Sequence, residues 1–535
     1  MARHGAWAGV IQSPAMIRDA GRPGGIRWAL AAVLLVAAAL RFAALSHLPP
    51  AHYRDVAITA LDALRALAGH PRLHYVRDEG LYSNIMALVF WLAGPSDAAV
   101  RFQGALFGTL TCLAVYRLGR VLGSRRAGLY GAGFLAVSLW HVILSRSGFR
   151  AILLPLLLTA GVAFLVEGLE RVSTARLAAA GVLIGLCVHA YPASRVVPLL
   201  LPFAAVAGLG VDGVRWRRAR RGLAAFVLAA AAIAAPMILH YIRHPDDFTD
   251  PKRIVSVFSP GLPPGAAAAY LRHSLGATAL MFHVHGDDNL RHNLPGAPLL
   301  DPVTGLLLVI GAGAAVIALR AGPARATPFG RAAAVLLLAW VPIMLLPNLL
   351  SVEGVPHALR SCGVLPAVML LAGAGAAIVE AAVARRLGGR MAAALAIVLC
   401  LGLAAHTGYR HFAVWGRDAR LFAEHDGAYR AAARALLQAP PGVERFLVAN
   451  GTGFDIYGRP AEVHAYLFEM RDHPPVVLGP RDGGRLVLEG RPAIVAFVRR
   501  EAGTLALIET LNPGAPIRPV TGPGLSPESP VYRIN

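Results

Sequence analysis

Lysine is all but missing from this chain: Lys252 stands alone among 51 basic residues, and the rest are arginine. An excess of that kind reads first as the codon bias of a GC-rich genome, so arginine content alone argues no function. Charge of either sign is scarce. Only 15% of the 535 residues are Asp, Glu, Lys or Arg, against roughly 25% in ordinary soluble domains, which excludes a soluble globular class. The formal net charge of +21 does not point to nucleic acid, because the arginines form no continuous groove. They fall in short clusters between apolar runs, the pattern that orients a membrane protein. Only four cysteines occur, Cys112, Cys187, Cys362 and Cys400. All lie in apolar segments without metal or disulfide spacing. There is no Walker loop, no GxGxxG between a strand and a helix, and no small-residue cleavage site after the first apolar run. That run is therefore expected to stay as a span.

What the chain does have is apolar runs about as long as a bilayer is thick. WALAAVLLVAAALRFAAL (28–45), LAAFVLAAAAIAAPMIL (223–239), GLLLVIGAGAAVIAL (305–319) and MAAALAIVLCLGLAA (391–405) are examples. Arginine clusters at 117–126, 171–176, 215–221, 320–331 and 385–390 are expected on the cytoplasmic side, with Arg18, Arg22 and Arg27 holding the N-terminus there. The spans between them then fall at 28–45, 98–116, 127–145, 151–169, 178–192, 196–211, 222–241, 302–319, 331–349, 361–382 and 391–408. The fold class is an α-helical polytopic membrane protein of about 11 transmembrane helices on the ~20-residue criterion. LYSNIMALVFWLAG (81–94) is too short for a span and is read as an interfacial or re-entrant helix of the first outer loop. Tyr191-Pro192 and Pro342 are expected to break helices.

The domains follow: a cytoplasmic segment 1–27, a transmembrane body 28–408 whose first outer loop is 46–97, and an extracytoplasmic tail 409–535. Within the tail 423–438 reads as an amphipathic helix, and RFLVAN (445–450), RLVLEG (485–490) and AIVAFVRR (493–500) as strands. GPRDGG and NPGAP mark turns. The tail is expected to be a small α/β domain.

The first outer loop is dense in ionisable residues. Asp55 and Asp62 sit at helical spacing on a helix that starts after Pro49-Pro50, both expected to point away from lipid into solvent, and Asp78 and Glu79 follow beside Arg77. Ionisable groups at membrane depth tend to mark function, so Asp55 and Glu79 are the candidate catalytic carboxylates. FHVHGDDNLRHN (282–293) offers His283, His285, Asp287 and Asp288 as weak metal candidates, but no pair has a recognised ligand spacing. No cofactor is expected, and a divalent metal is not expected to be needed.

An apolar first span, Pro-Pro, Asp55 on an Ala-rich helix, then Glu79-Gly80-Leu81-Tyr82 before a short apolar helix: this order resembles glycosyltransferase family 39 of the GT-C membrane enzymes. That group includes protein O-mannosyltransferases and lipid A aminoarabinose transferases. The resemblance continues through Val100-Arg101-Phe102, SLWHVILSRSGFR (138–150), RHNLPGAPLLDP (291–302) and SVEGVPHALRSCGVLP (351–366), and covers roughly 25–415. It implies that Asp55 is the catalytic base and that a polyprenyl-phosphate sugar is the donor. Two departures concern the acceptor class: Val56 follows Asp55 where the family often has Glu, and Arg150 stands where many members have a second Asp. The implied chemistry asks for a carboxylate to take the acceptor's proton and for cations on the departing phosphate. Arg146, Arg150, Arg195 and Arg360, at the outer ends of different spans, suit that role because a guanidinium holds phosphate bidentately. Glu353 and His357 are further substrate contacts on the same logic.

The expected function is transfer of a sugar from a polyprenyl-phosphate donor to an envelope lipid, glycan or protein acceptor, at the outer face of the cell's inner membrane. A transporter or flippase of a lipid-linked saccharide would show inverted repeats and mid-membrane charge, and neither is evident. A bare anchor for the tail leaves the charged outer loops unexplained.

Overall fold

The computed structural model of the chain describes residues 23–210, 213–259, 261–263, 265–320, 328–479, 482, 486–488 and 490–535. Arg18 and Arg22, most of the 320–331 cluster and most of the GPRDGG turn lie outside the described residues. The chain divides into two interleaved units. One comprises Met1–Ala43, Glu79–Tyr82 and Arg101–Trp415; the other Ala44–Asp78, Ser83–Val100 and Gly416–Asn535.

The first unit is a helical bundle. Among the described residues nine helices are long and apolar enough to cross a membrane, and a bent pair, Arg125–Ala136 and Leu139–Arg146, makes a tenth candidate span. The bend of 58° falls where Val137 closes one helix and Ser138 caps the next, accepting from the His141 amide. Thr174–Cys187, at 14 residues, is apolar but short of a full span. Every expected span thus coincides with an apolar helix. Pro192 opens a 3₁₀ stretch, Pro192–Leu200, ahead of the helix Leu201–Leu209. Pro342, by contrast, lies inside the helix Arg331–Leu349 without ending it. Leu365–Leu387 is the central helix, buried along its first half. It is approached closely because Gly373, Gly375 and, on a neighbour, Gly311 carry no Cβ: an added methyl would overlap the backbone of Ala127, Leu307 and Leu371 respectively. Small residues at such crossings are how helices pack where no hydrophobic drive separates protein from lipid.

The second unit holds the outer-loop helices and the tail. The helix Arg54–Leu67 buries every residue from Val56 to Ala60, and also Asp62 and Ala63. Leu81–Ala93 has 13 residues and exposes Leu88, Trp91 and Leu92, which fits a helix lying at an interface and not crossing. The tail forms a five-stranded sheet of β1 (Glu444–Val448), β2 (Val476–Leu478), β3 (Ala493–Phe497), β4 (Ile517–Pro519) and β5 (Val531–Ile534), in the order β2-β1-β3-β5-β4. β1 runs parallel to β2 and β3, and β5 antiparallel to β3 and β4. Alternation along β1 and β3 covers both faces. Leu447, Ile494 and Ala496 pack with Ala432, Ala433 and Leu436 of the helix Gly427–Leu437, while Phe446, Val495 and Phe497 pack with Ile508. The α/β expectation holds, with one correction. Residues 486–488 form no strand, and the third parallel position is taken by Val476–Leu478.

Candidate active site

In the membrane unit, polar groups from four separate stretches meet at the helix ends. Glu79 is buried. Its Oε2 accepts from Arg150 Nε at 3.3 Å, and its Oε1 from the Tyr241 hydroxyl at 3.2 Å. Arg150 opens the helical segment Arg150–Glu170, and its guanidinium lies 5.6 Å from the Tyr191 ring centre. Tyr191 sits within the electrostatic reach of Arg150, Arg360 and Glu79 together. Arg195 lies over the rings of Tyr241 at 5.6 Å and Phe248 at 4.1 Å, and donates to the Phe248 carbonyl at 3.2 Å. Arg150 and Arg195 therefore stand against a group of one buried carboxylate and two phenols, and the charge of Arg360 reaches Tyr191.

Arg360 is shaped by its own loop. It donates to the Ser351 hydroxyl and to the Glu353 carbonyl at 2.7 Å. The exposed Glu353 carboxylate stands 3.9 Å away. His357 Nδ1 faces the Arg360 amide at 3.4 Å. Behind it the His292 ring lies tilted at 4.8 Å between ring centres, and Asp287 Oδ2 meets His292 Nδ1 at 3.2 Å and the Ala358 amide at 2.7 Å. Burial pushes His292 and His357 below the ordinary imidazole range, with Asp287 opposing that for His292 and the neighbouring His292 and Arg360 adding to it for His357. Two neutral imidazoles and a carboxylate are a donor set that could hold a metal. Arg291 and Arg360 bring positive charge to the same place, which opposes a cation and suits an anion.

Not every candidate joins this group. Arg146 is wholly buried elsewhere, donating to the carbonyls of Leu40 at 3.0 Å and Arg41 at 2.8 Å, with its guanidinium over Phe412. It ties helices together through these partners, which are not those of Arg150, Arg195 or Arg360. The metal candidates also separate. His283 and His285 are exposed, paired with the Gly305 carbonyl and Asp288, while Asp287 turns inward to His292. Their alternation fits no single strand face because 281–284 is a series of turns. The opposite helix ends carry Glu167 with Arg117, Arg171 and Arg176, the clusters expected on the other side.

In the second unit Asp55 is exposed on the first turn of Arg54–Leu67. Asp62 corrects the expectation of a solvated carboxylate. It is fully buried, accepting from the Tyr457 hydroxyl at 2.9 Å and from Arg65 at 2.6 Å, and burial pushes its carboxyl up to about 6. Tyr191, Tyr241 and His292 were not singled out as site residues by the sequence. The Tyr191-Pro192 break and the dense His-Asp run at 282–293 were the signals on offer for the first and last, and Tyr241 gave none beyond its place at a span end.

The bundle is a GT-C fold, the architecture of membrane glycosyltransferases. Residues 81–240 match the sequence profile of the dolichyl-phosphate-mannose-protein mannosyltransferase family. Among solved structures, ArnT from Cupriavidus metallidurans in the apo state superimposes with a TM-score of 0.60 at 15% identity, over 95% of this chain and 98% of that one. ArnT bound to undecaprenyl phosphate gives 0.56 at 15%, over 96% and 98%. The arabinofuranosyltransferase AftD from Mycobacteria gives 0.51 at 16%, over 98% and 40%. No curated protein sequence matches the chain.

Proposed function

We propose that this protein transfers a sugar from a polyprenyl-phosphate donor to an acceptor hydroxyl on the non-cytoplasmic face of the membrane. The observation that carries the reading is the gathering of Arg150, Arg195 and Arg360 around Glu79, Tyr191 and Tyr241 at one end of an apolar bundle. Guanidiniums gathered at one end of an apolar bundle suit an anion that lives in the membrane, and a lipid phosphate is such an anion. The undecaprenyl phosphate seen with a similar fold supports the same choice.

The division of labour follows from the carboxylates. Both oxygens of Glu79 accept from donors, so it orients Arg150 and Tyr241. Asp55, which the resemblance matches to the acidic residue of the family's first outer loop, is the base: it takes the acceptor proton as the oxygen attacks the anomeric carbon and the lipid phosphate leaves as an anion. The donor is already activated, so no cofactor is required. Arginine clusters at 117–126, 171–176 and 215–221 place their side in the cytoplasm, and the tail therefore lies outside. Reporter fusions or single-cysteine labelling at 218 and 450 test the orientation, and both on one side would overturn it. Lipid extracts of a deletion strain test the function: the unused polyprenyl-phosphate sugar accumulates, and an unchanged lipid profile would contradict the proposal.

A further inference from the structure

The first turn of the helix Arg54–Leu67 has no cap of its own. Tyr53 precedes it with no side-chain capping bond; its carbonyl takes the Val56 and Ala57 amides, and the Arg54 amide ahead of them needs a partner from elsewhere. Asp426 supplies one across 372 residues of sequence: its Oδ2 accepts from the Arg54 backbone amide at 2.8 Å. The same carboxylate takes Arg54 Nε at 3.0 Å and Nη2 at 2.7 Å, a two-pronged grip on the guanidinium. The remaining prong, Nη1, reaches Glu462 Oε1 at 2.9 Å. One carboxylate of the tail thus holds both the main chain and the side chain of the residue before Asp55.

The tail is shaped to make this grip. Asp426 sits at φ 57°, a left-handed conformation that Asp adopts more readily than most residues, just ahead of the helix Gly427–Leu437. Glu462 is buried and also accepts from the Gly453 amide at 3.2 Å. The Asn450-Gly451-Thr452-Gly453 loop can close over it only because Gly451 and Gly453 lack side chains: a Cβ would stand 2.9 and 2.4 Å from Glu462 Oε2. The grip is repeated on both sides of the helix start. Arg430 donates to the Pro50 carbonyl at 3.1 Å and to Asp97 at 2.5 Å, and Asp97 takes His52 at 2.9 Å. Further along, Tyr457 bonds Asp62, and Arg65 lies 3.8 Å over its ring.

We propose that the C-terminal domain is a positioning element for the reaction: Arg54, held by Asp426 and Glu462, is a positioning residue that fixes where Asp55 stands. This rests on Asp55 being the base. Merely docking the tail needs no fork on the residue beside Asp55. Fixing a base does, because a displacement of about 1 Å can cost on the order of 10²-fold in rate. Arginine is required for the two-sided hold, since a lysine ammonium is a point charge without a fork.

The test uses the full-length protein in detergent or nanodiscs, with the donor lipid accumulated by the deletion strain, and follows release of polyprenyl phosphate. Arg54→Gln, Asp426→Asn and Gly453→Ala should each lower kcat by about 10–100-fold while the KM for donor and binding of undecaprenyl phosphate stay within about twofold. Arg54→Lys should recover part of kcat. Thermal unfolding of the same preparations separates positioning from folding. A loss of kcat that merely tracks loss of folded protein in every variant, Arg54→Lys included, overturns the proposal. So does wild-type kcat in Arg54→Gln and Asp426→Asn when Asp55→Asn is inactive. If Asp55→Asn itself keeps wild-type turnover, the base assignment has failed, and the positioning role falls with it.

Discussion

Buried Glu79 pairs with half-buried Arg150 at 3.3 Å, and the second oxygen of the carboxylate is taken by Tyr241. A carboxylate so engaged orders the cation beside it and is poorly placed to accept a further proton from an incoming hydroxyl. Removing one member leaves the other buried without its counter-charge, the costly half of breaking such a pair. Glu79→Gln and Arg150→Gln are each expected to weaken undecaprenyl phosphate binding about tenfold, roughly 1.4 kcal/mol. Isothermal titration on the double variant should show clear non-additivity, because the two act as a unit.

Arg146 and Arg360 should behave in opposite ways. Arg146 is buried on the carbonyls of Leu40 and Arg41, so Arg146→Ala leaves those acceptors bare and should lower the unfolding temperature of the solubilised protein. Remaining folded protein should bind undecaprenyl phosphate normally. Arg360→Ala should leave thermal stability within about 2 °C, the scale of a ΔΔG below roughly 1 kcal/mol in a large domain, and reduce lipid phosphate binding.

These two arginines also mark how far the sequence could be read. The spans were legible because length and hydropathy are local properties, and each expected run is a helix. Glu79, Arg150, Arg195 and Arg360 could be picked out as candidates because ionisable groups at span ends are few and costly. Arg146 occupies the same kind of position in the sequence, but its partners lie about a hundred residues away in the first helix, and nothing local records that. Asp62 misled for the same reason: Tyr457, which buries it, is 395 residues distant. β2 and β4, of three residues each, are too short to show the alternation that revealed β1 and β3. Tyr191 was legible only as part of a helix break and Tyr241 not at all, because Tyr at a span end is the ordinary composition of a membrane interface.

Asp62 gives a pH prediction. Burial raises its carboxyl from 3.8 to about 6 in the folded protein, against the opposing pull of Tyr457, Arg65 and Arg72. The folded state therefore binds the proton more tightly, and Asp62's contribution to stability is full below about pH 4 and is lost as pH rises through about 6. The difference in unfolding temperature between wild type and Asp62→Asn should change across pH 4–6.5 and be flat above pH 7. A difference that is constant throughout would show Asp62 to titrate normally.

Chelation should have no effect. Asp287, His292 and His357 form a tight donor set, but Asp287 already accepts from His292 and the Ala358 amide, and Arg291 and Arg360 stand beside it. Turnover measured after dialysis against EDTA should match the untreated protein within about twofold. A loss restored by a divalent cation would make this cluster a metal site.

The central claim is that Asp55 accepts the acceptor's proton. A positioned carboxylate contributes on the order of 10²–10⁴ in rate, and Asp55→Asn keeps the size of the side chain while removing its basicity. The deciding measurement is the turnover of purified Asp55→Asn with the donor lipid accumulated by the deletion strain, alongside its binding of undecaprenyl phosphate. The account predicts a folded protein that binds the lipid phosphate as wild type does and transfers sugar at least about a hundredfold more slowly. Wild-type turnover in Asp55→Asn, with Glu79→Gln inactive, would contradict it and move the base to Glu79.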